Sequence, residues 1–411
     1  MDEQKRLIVT NVTIKESLIC ASALYHGKRL AEVSLEPVSD PPKDRAGALG
    51  TIYAGRVRDI VKNINAAFVE IAPGMPCYLN LKDVKSPVYV KKCGSPRLVP
   101  GDQLLVQVEK EAIKTKPPRV TTDLTFHGQY LVVSTQQEAI GASKKLPEER
   151  REQIKELLGK HRRTAFGVIA RTAAENATVE ELKDELQKLE EEALEMIARA
   201  PYQTCFSCLR RQEPFYLQML HQLSGEALDE AVTDQKEIYH RLAEALEPGK
   251  VRFYEDSLLP LSKCYGLHQQ IDNALREKVW LKSGGYLIIQ PTEAMTVIDV
   301  NSGKSIAKKD PQEHYLKVNL EAAEEIAHQL RLRNISGIIM IDFIDLKDSM
   351  AQEALISRMK ELTAGDPVPV QVVDLTKLNL MELTRKKVKR SLAEQVRAIL
   401  FAKFKKNCFF S

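Results

Sequence analysis

The 411-residue sequence has no apolar run long enough to span a membrane. No secretory leader is expected either, because Met1-Asp2-Glu3-Gln4-Lys5-Arg6 is charged and only a short apolar stretch follows. Charge of one sign is also scarce. Lysine plus arginine number 60 against 56 acids, a formal net charge of +4, so a nucleic-acid surface has to come from local clustering and not from bulk basicity. No cysteine framework exists. Seven cysteines, an odd number scattered through a long chain, exclude a disulfide scaffold and point to free thiols in a reducing cytoplasm. Cys205-Phe206-Ser207-Cys208 is a CxxC, yet His221, His240 and Cys264 do not supply the second compact pair that tetrahedral zinc needs, so free thiols are the expectation.

What is there centres on Thr296 to Lys347. Thr296-Val297-Ile298-Asp299-Val300 reads as a strand, and Asn301-Ser302-Gly303 as a turn. Asp310-Pro311-Gln312-Glu313 carries helix-start signals, and Leu316, Leu320, Ala323, Ala327 and Leu330 recur at helical spacing. Ile338 to Asp345 is a second apolar strand running into carboxylates. Strand, helix, strand predicts parallel neighbours with a crevice at the strands' C-terminal ends. That arrangement sets Asp299 beside Asp342, although 43 residues separate them in sequence. Two carboxylates share a pocket as anions only when a cation bridges them, and a largely hydrated Mg²⁺ fits such a pair. The competing reading is that both acids merely cap helices or bind loop amides.

Before this segment, Arg6 to Ser34 reads as strands whose sheet partners come later in the chain. From Gly50 the pattern is all β, with closely spaced strands suited to a small closed barrel. Lys110, Lys114, Lys116 and Arg119 cluster at its exit, either as a solvated face or as a track for a phosphate backbone. Further on, Pro147 to Leu158 is a charged helix, and Phe166 to Ala170 a strand leading into Arg171-Thr172. A guanidinium, a hydroxyl and loop amides can converge there on an anion, though one dipeptide is weak evidence. Thr178-Val179-Glu180-Glu181 is a capping box opening a helix to about Arg199. Tyr216 to Gln222, Leu228 to Leu246 and Gly266 to Arg276 read as helices, with a strand at Val251 to Tyr254. The run Arg385, Lys386, Lys387, Lys389 and Arg390 is either a solvated helix face or a nucleic-acid contact, the latter preferred.

IDVNSG, NLEAAEEIAHQLRLR and GIIMIDFID, in this order and separation, resemble the catalytic segment of the ribonuclease E/G family of bacterial endoribonucleases. GTIYAGRV, AAFVEI and CYLNL resemble an S1-type OB-fold. The resemblance covers about residues 6–395 and implies an α/β multi-subdomain fold. Its parts would be an RNase H-like subdomain (1–45 and 215–279), an inserted S1/OB barrel (46–119), a 5′-sensor (120–214), a DNase I-like catalytic subdomain (280–400) and a tail (401–411). The tail does not show the family's Cys-Pro-x-Cys zinc link, and the expectation is a short ribonuclease G-like member without a long C-terminal extension.

Carried over residue by residue, the resemblance implies Asp299, Asn301 and Asp342 as catalytic, with Asp299 and Asp342 holding Mg²⁺ (Mn²⁺ as the alternative) and Asp345 behind them or capping a helix. It implies Phe68, Tyr78, Lys110 and Lys116 as RNA contacts, where ring stacking is how OB surfaces grip single strands. The alternative for both rings is barrel core, which without the resemblance is the preferred reading for Phe68. Gly128, Val132, Arg171 and Thr172 match the pocket for a 5′-monophosphate. The expectation is a cytoplasmic endoribonuclease acting on single-stranded RNA, without structural zinc. Any homodimer would lack the zinc link, and Leu392, Val396, Leu400 and Phe404 could line it unless that stripe docks onto its own subunit. Two rivals are a catalytically silent RNA-binding protein and a metal-dependent phosphoesterase acting on small molecules. Converging acids argue against the first, and a base-stacking barrel against the second.

Overall fold

The computed structural model describes residues 4–38, 47–112, 116–211, 213–223, 228–256, 258–303, 311–376 and 378–408, with 401–408 described by their backbone alone. The expected helix cap at Asp310, the basic residue Lys114 and the side chain of Phe404 lie outside the described residues. The chain divides into two compact units, residues 1–40 with 228–411, and residues 41–227.

The first unit holds two sheets. In one, Lys5–Ile14 pairs antiparallel with Ser17–His26, which pairs with Arg29–Pro37; on its other edge Lys5–Ile14 meets Glu230–Thr233 in parallel. Val251–Phe253 completes this sheet beside Glu230–Thr233. Of the early strands, Lys5–Ile14 thus takes a partner from more than 200 residues downstream, whereas the other two pair within the first 37 residues. The expectation of a helix from Leu228 to Leu246 is corrected. Residues 230–233 are a strand, and the helix is only Lys236–Ala245. Ala231, Val232 and Thr233 are fully buried in the parallel ladder, and that burial overrides their place in a helix-like pattern.

The second sheet has the order Lys278–Trp280, Tyr286–Pro291, Met295–Asn301, Gly337–Asp342, Leu380–Arg385, Val370–Leu375. Met295–Asn301 and Gly337–Asp342 run parallel, joined through the helix Pro311–Leu332. Inward residues alternate along the strands: Leu287, Ile289, Ile298, Val300, Ile339 and Ile341 pack on Val318, Ala322, Ile326 and Leu330 of that helix and on Leu355 and Met359 of Ser349–Ala364. A strand covered on one side only buries every second residue. Among the described residues the other side stays open. The C-terminal helix Leu392–Cys408 lays Leu392 and Val396 against the first sheet, so that part of the stripe docks within its own chain.

The second unit contains a closed five-stranded barrel. Ile52–Val61, Ala66–Ala72, Met75–Asn80, Arg119–Thr121 and Gln103–Lys110 pair in that circular order, and Gln103–Lys110 returns to Ile52–Val61. Closure leaves no free edge within this ring. A four-stranded sheet follows, in the order Thr125–His127, Leu131–Ser134, Gly167–Ala170, Ile140–Ala142. Ile154, Leu158, Leu182, Leu186 and Leu189 of the helices Glu148–His161 and Val179–Arg199 share its core. The Thr178–Glu181 capping box is formed in both directions.

Among the described residues no helix is long and apolar enough to cross a membrane. The fold also stores a pH dependence. Burial, and then the charges of Arg29, His26, Arg331 and Arg333, hold the His328 imidazole down at about 3. The unfolded chain takes up this proton near pH 6.5 while the folded one resists, so stability present above pH 6.5 declines as pH falls towards 3. His328→Asn is expected to flatten that loss by up to about 1.4 kcal/mol per pH unit, read from denaturant midpoints between pH 6 and pH 4.

Candidate active site

The carboxylate face is built by strand register. Asp299 is paired directly with Asp342 across the parallel ladder, and both are exposed on the open side of the sheet. Asn301, two residues on and still within the strand, donates from Nδ2 to Asp299 Oδ2 at 2.7 Å. The neighbouring hairpin fixes that end of the strand. A Cβ on Gly285 would come within 2.7 Å of the Asn301 carbonyl oxygen, so only glycine permits this approach. Gly303, at φ +64, meets the Gly284 carbonyl oxygen in the same way.

Partial burial, and then the charges of Asp299 and Asp345, push the Asp342 carboxyl up. Asp345 Oδ1 accepts a 3.2 Å bond from Asn379, a residue held in the left-handed region at φ +61. Asp345 is therefore not the helix cap: Asp348 takes that role, accepting from the Met350 amide. No Lys or Arg among the described residues forms an ion pair with Asp299, Asp342 or Asp345. Nor do three His, Cys, Asp or Glu side chains among the described residues make a closed metal cage. The donor set is two facing carboxylates, which repel each other as anions, and a neutral carboxamide, all oxygen-bearing. It fits a hard divalent cation that keeps most of its waters.

In the barrel, Phe68 and Tyr78 are cross-strand partners with ring centroids 6.3 Å apart at 80°. Both are half-buried, whereas their neighbours Ala67, Val69, Cys77 and Leu79 fill the barrel interior. Phe68 is thus on the outer surface and not in the core. Lys110 and Lys116 are exposed. Arg119 is engaged by Asp83 at 2.9 Å and Glu109 at 2.7 Å, so it adds little free charge to that cluster.

Gly128 and Arg171 directly follow the strands Thr125–His127 and Gly167–Ala170, which flank the strand of Val132 in the four-stranded sheet. Arg171 donates from Nη1 to the Gly128 carbonyl at 2.7 Å and from its backbone amide to Tyr130, and Val132 pairs with Ile169. Thr172 opens the turn after the strand and shares a 2.9 Å hydroxyl contact with Ser143. Arg171 also lines a cavity of about 210 Å³ with His127, Arg210, Arg211, Glu213 and His221. Burial, and then Arg171 and Arg210, push the His127 imidazole down to about 4. Reasoning from sequence missed Glu185, whose carboxylate accepts from the amides of Gln129, Tyr130 and Leu131 and shapes the Gly128 loop. Its place on the inward flank of a long acidic helix gave no local signal.

The C-terminal basic run is not one helix face. Arg385 ends a strand and is buried in a two-bond pair with Asp366, Lys387 pairs with Glu394, and Lys389 reaches Glu32 and Ser34. Three of its five cations therefore serve the fold. Cys205 and Cys208 are free, with Cys208 in a short strand beside the barrel.

A closed barrel with aromatic rings on its outer surface, and a sheet with facing carboxylates on its open side, are the features expected of the class of protein that handles a phosphate-bearing chain. The family profile described as Ribonuclease E/G family matches residues 125–388. The chain is 31% identical over 404 residues to Ribonuclease G of Haemophilus influenzae, covering 94% of this chain and 80% of that protein. It is 30% identical over 402 residues to Ribonuclease G of Escherichia coli, with the same coverage. It is 33% identical over 364 residues to Ribonuclease E of Nostoc sp., covering 84% of this chain and 52% of that longer protein. The chain belongs to the ribonuclease E/G family.

Proposed function

We propose that this protein is an endoribonuclease of RNA processing and decay, cutting single-stranded RNA to leave 5′-phosphate and 3′-hydroxyl ends. The observation that carries the reading is the registered pairing of Asp299 with Asp342 on an open sheet face, in a chain of this family. Asp299 and Asp342 would hold Mg²⁺, or Mn²⁺, which when bound offsets charge on the scissile phosphate and acidifies water. Asn301, steered by its bond to Asp299, presents its amide towards a phosphate oxygen or the attacking water. Asp345, anchored by Asn379, keeps negative charge behind Asp342. Phe68 and Tyr78 stack bases, and Lys110 and Lys116 follow the backbone phosphates. In this reading the sheet of residues 278–385 belongs to a DNase I-like subdomain, and the sheet of residues 5–37 and 230–253 to an RNase H-like one. Incubating the purified chain with end-labelled single-stranded RNA, with Mg²⁺ or with EDTA, tests the proposal. Internal cuts that need the metal support it; intact RNA under both conditions removes it.

Gly128, Val132, Arg171 and Thr172 would form the sensor for a 5′-monophosphate. Burial pushes the Arg171 guanidinium below its ordinary value, so an anion entering there meets a weakly hydrated cation. A 5′-monophosphorylated RNA is expected to be cut about tenfold faster than its 5′-hydroxyl counterpart, and Arg171→Ala to abolish most of that difference while sparing the 5′-hydroxyl rate. Equal rates for the two RNAs with the unaltered protein would remove the sensor.

A further inference from the structure

The open face that carries the carboxylates also carries an aromatic group that the nuclease reading has not used. Trp280 pairs with Tyr286, and Tyr286 with Asn301; in the adjacent row Lys278 pairs with Ile288, Ile288 with Asp299, and Asp299 with Asp342. Directly paired residues share a sheet face, as do residues two apart along a strand. Lys278, Trp280 and Tyr286 therefore stand on the same side as Asp299, Asn301 and Asp342. Val279 and Leu287 turn to the opposite side and join the core under the helices. Neighbouring strands lie about 4.8 Å apart, so Tyr286 is roughly 5 Å and Trp280 roughly 10 Å from Asn301 across the sheet. A nucleotide or two spans that distance.

The side chains form a compact group. The rings of Trp280 and Tyr286 have centroids 5.4 Å apart at 65°, and Lys278 Nζ sits 4.0 Å from the indole centroid and 3.7 Å from the phenol centroid. The ammonium is held by both ring faces, which limits the freedom of a long exposed side chain. Trp280 as a residue nonetheless remains 65% exposed. A large aromatic surface left in water on a functional face, with a cation fixed against it, has the composition of a single-strand stacking platform.

We infer that Lys278, Trp280 and Tyr286 form a nucleotide subsite beside the carboxylates. The Trp280 indole stacks on the base of a nucleotide next to the scissile phosphodiester, and Lys278 faces that nucleotide's phosphate. The inference rests on the nuclease reading and deepens it by adding positioning residues at a stated place along the substrate. Stacking on a ring accepts any base, so this subsite demands a base without choosing among them.

Trp280 is the only tryptophan of the chain, and its emission reports the contact directly. The full chain in EDTA, which prevents turnover, is titrated with a labelled single-stranded RNA while label anisotropy and tryptophan emission are followed together. RNAs with one abasic site moved stepwise past the cleavage position are then compared. Emission is expected to be quenched as RNA binds, and the quenching to be lost only when the abasic site lies within two nucleotides of the cut. With Mg²⁺, Trp280→Ala and that same abasic RNA should each lower kcat/KM about tenfold without adding to one another, and Trp280→Phe should restore most of it. A rise in anisotropy with unchanged emission, or quenching indifferent to abasic position, overturns the subsite and leaves the nuclease reading standing. Failure of the unaltered protein to cut RNA in Mg²⁺ overturns both. The fluorescence arm uses the unaltered chain, so a variant that fails to fold does not obscure the result.

Discussion

Asp299→Asn and Asp342→Asn are each expected to lower RNA cleavage at least about a hundredfold, equivalent to about 3 kcal/mol of lost transition-state stabilisation. Each exchange keeps the side-chain shape and removes one negative charge from the pair proposed to hold a cation. Stability is expected to move little, or to rise. The two carboxylates face each other across one ladder position, and the proximity of Asp299 contributes to holding the Asp342 carboxyl up. Removing either charge therefore relieves repulsion in the folded state. Single-turnover cleavage and thermal unfolding of the same preparations check both halves. A variant cutting at close to the unaltered rate would dismiss the carboxylates as the centre of the chemistry; a variant that is inactive because it is unfolded would betray itself in the melt.

The largest effect on stability is expected from Asp366→Ala. Arg385 is 3% exposed and donates to both carboxylate oxygens of Asp366 at 2.9 and 3.0 Å, to Asn334 Oδ1 at 2.7 Å and to the Ile335 carbonyl at 3.1 Å. Removing the carboxylate strands a buried guanidinium, a loss of about 3–5 kcal/mol. For a unit of this size that lowers the melting temperature by roughly 10 °C. Adding Arg385→Met to Asp366→Ala should recover part of the loss, because the buried charge then disappears along with its partner. Chemical denaturation of the single and double variants measures the coupling. An Asp366→Ala variant as stable as the unaltered chain would show that water reaches Arg385.

These two sites differ in how legible they were. Asp299 and Asp342 could be set side by side from sequence because strand, helix and strand leave parallel pairing as the ordinary outcome, and the register does the rest. The Thr178 capping box and the barrel strands were local signals of the same kind. Arg385 read as one cation in a basic run, since nothing nearby in sequence announces Asp366 as its partner or Asn334 as the acceptor beside it. Glu230–Thr233 was hidden for a similar reason: its strand identity comes from Lys5–Ile14, far away along the chain. Lys278-Val279-Trp280 did carry a signal, an inward valine between two outward side chains, but three residues are too few to assert a strand unaided.

The parallel pairing of Lys5–Ile14 with Glu230–Thr233 has a consequence for synthesis on the ribosome. The first three strands leave the exit tunnel with one long edge unpaired. Their partner emerges only after about 200 further residues, some 10–40 s later at bacterial elongation speeds of about 5–20 residues per second. During that interval the barrel and its neighbouring sheet can mature, while Leu7, Ile8 and Val9, which the finished molecule buries completely, wait in a half-built sheet. An unpaired apolar edge is where nascent chains meet one another or a chaperone. Slowing translation before Leu228 would lengthen that exposure, and a slow codon placed there would reduce the yield of folded chain without changing a single residue of it.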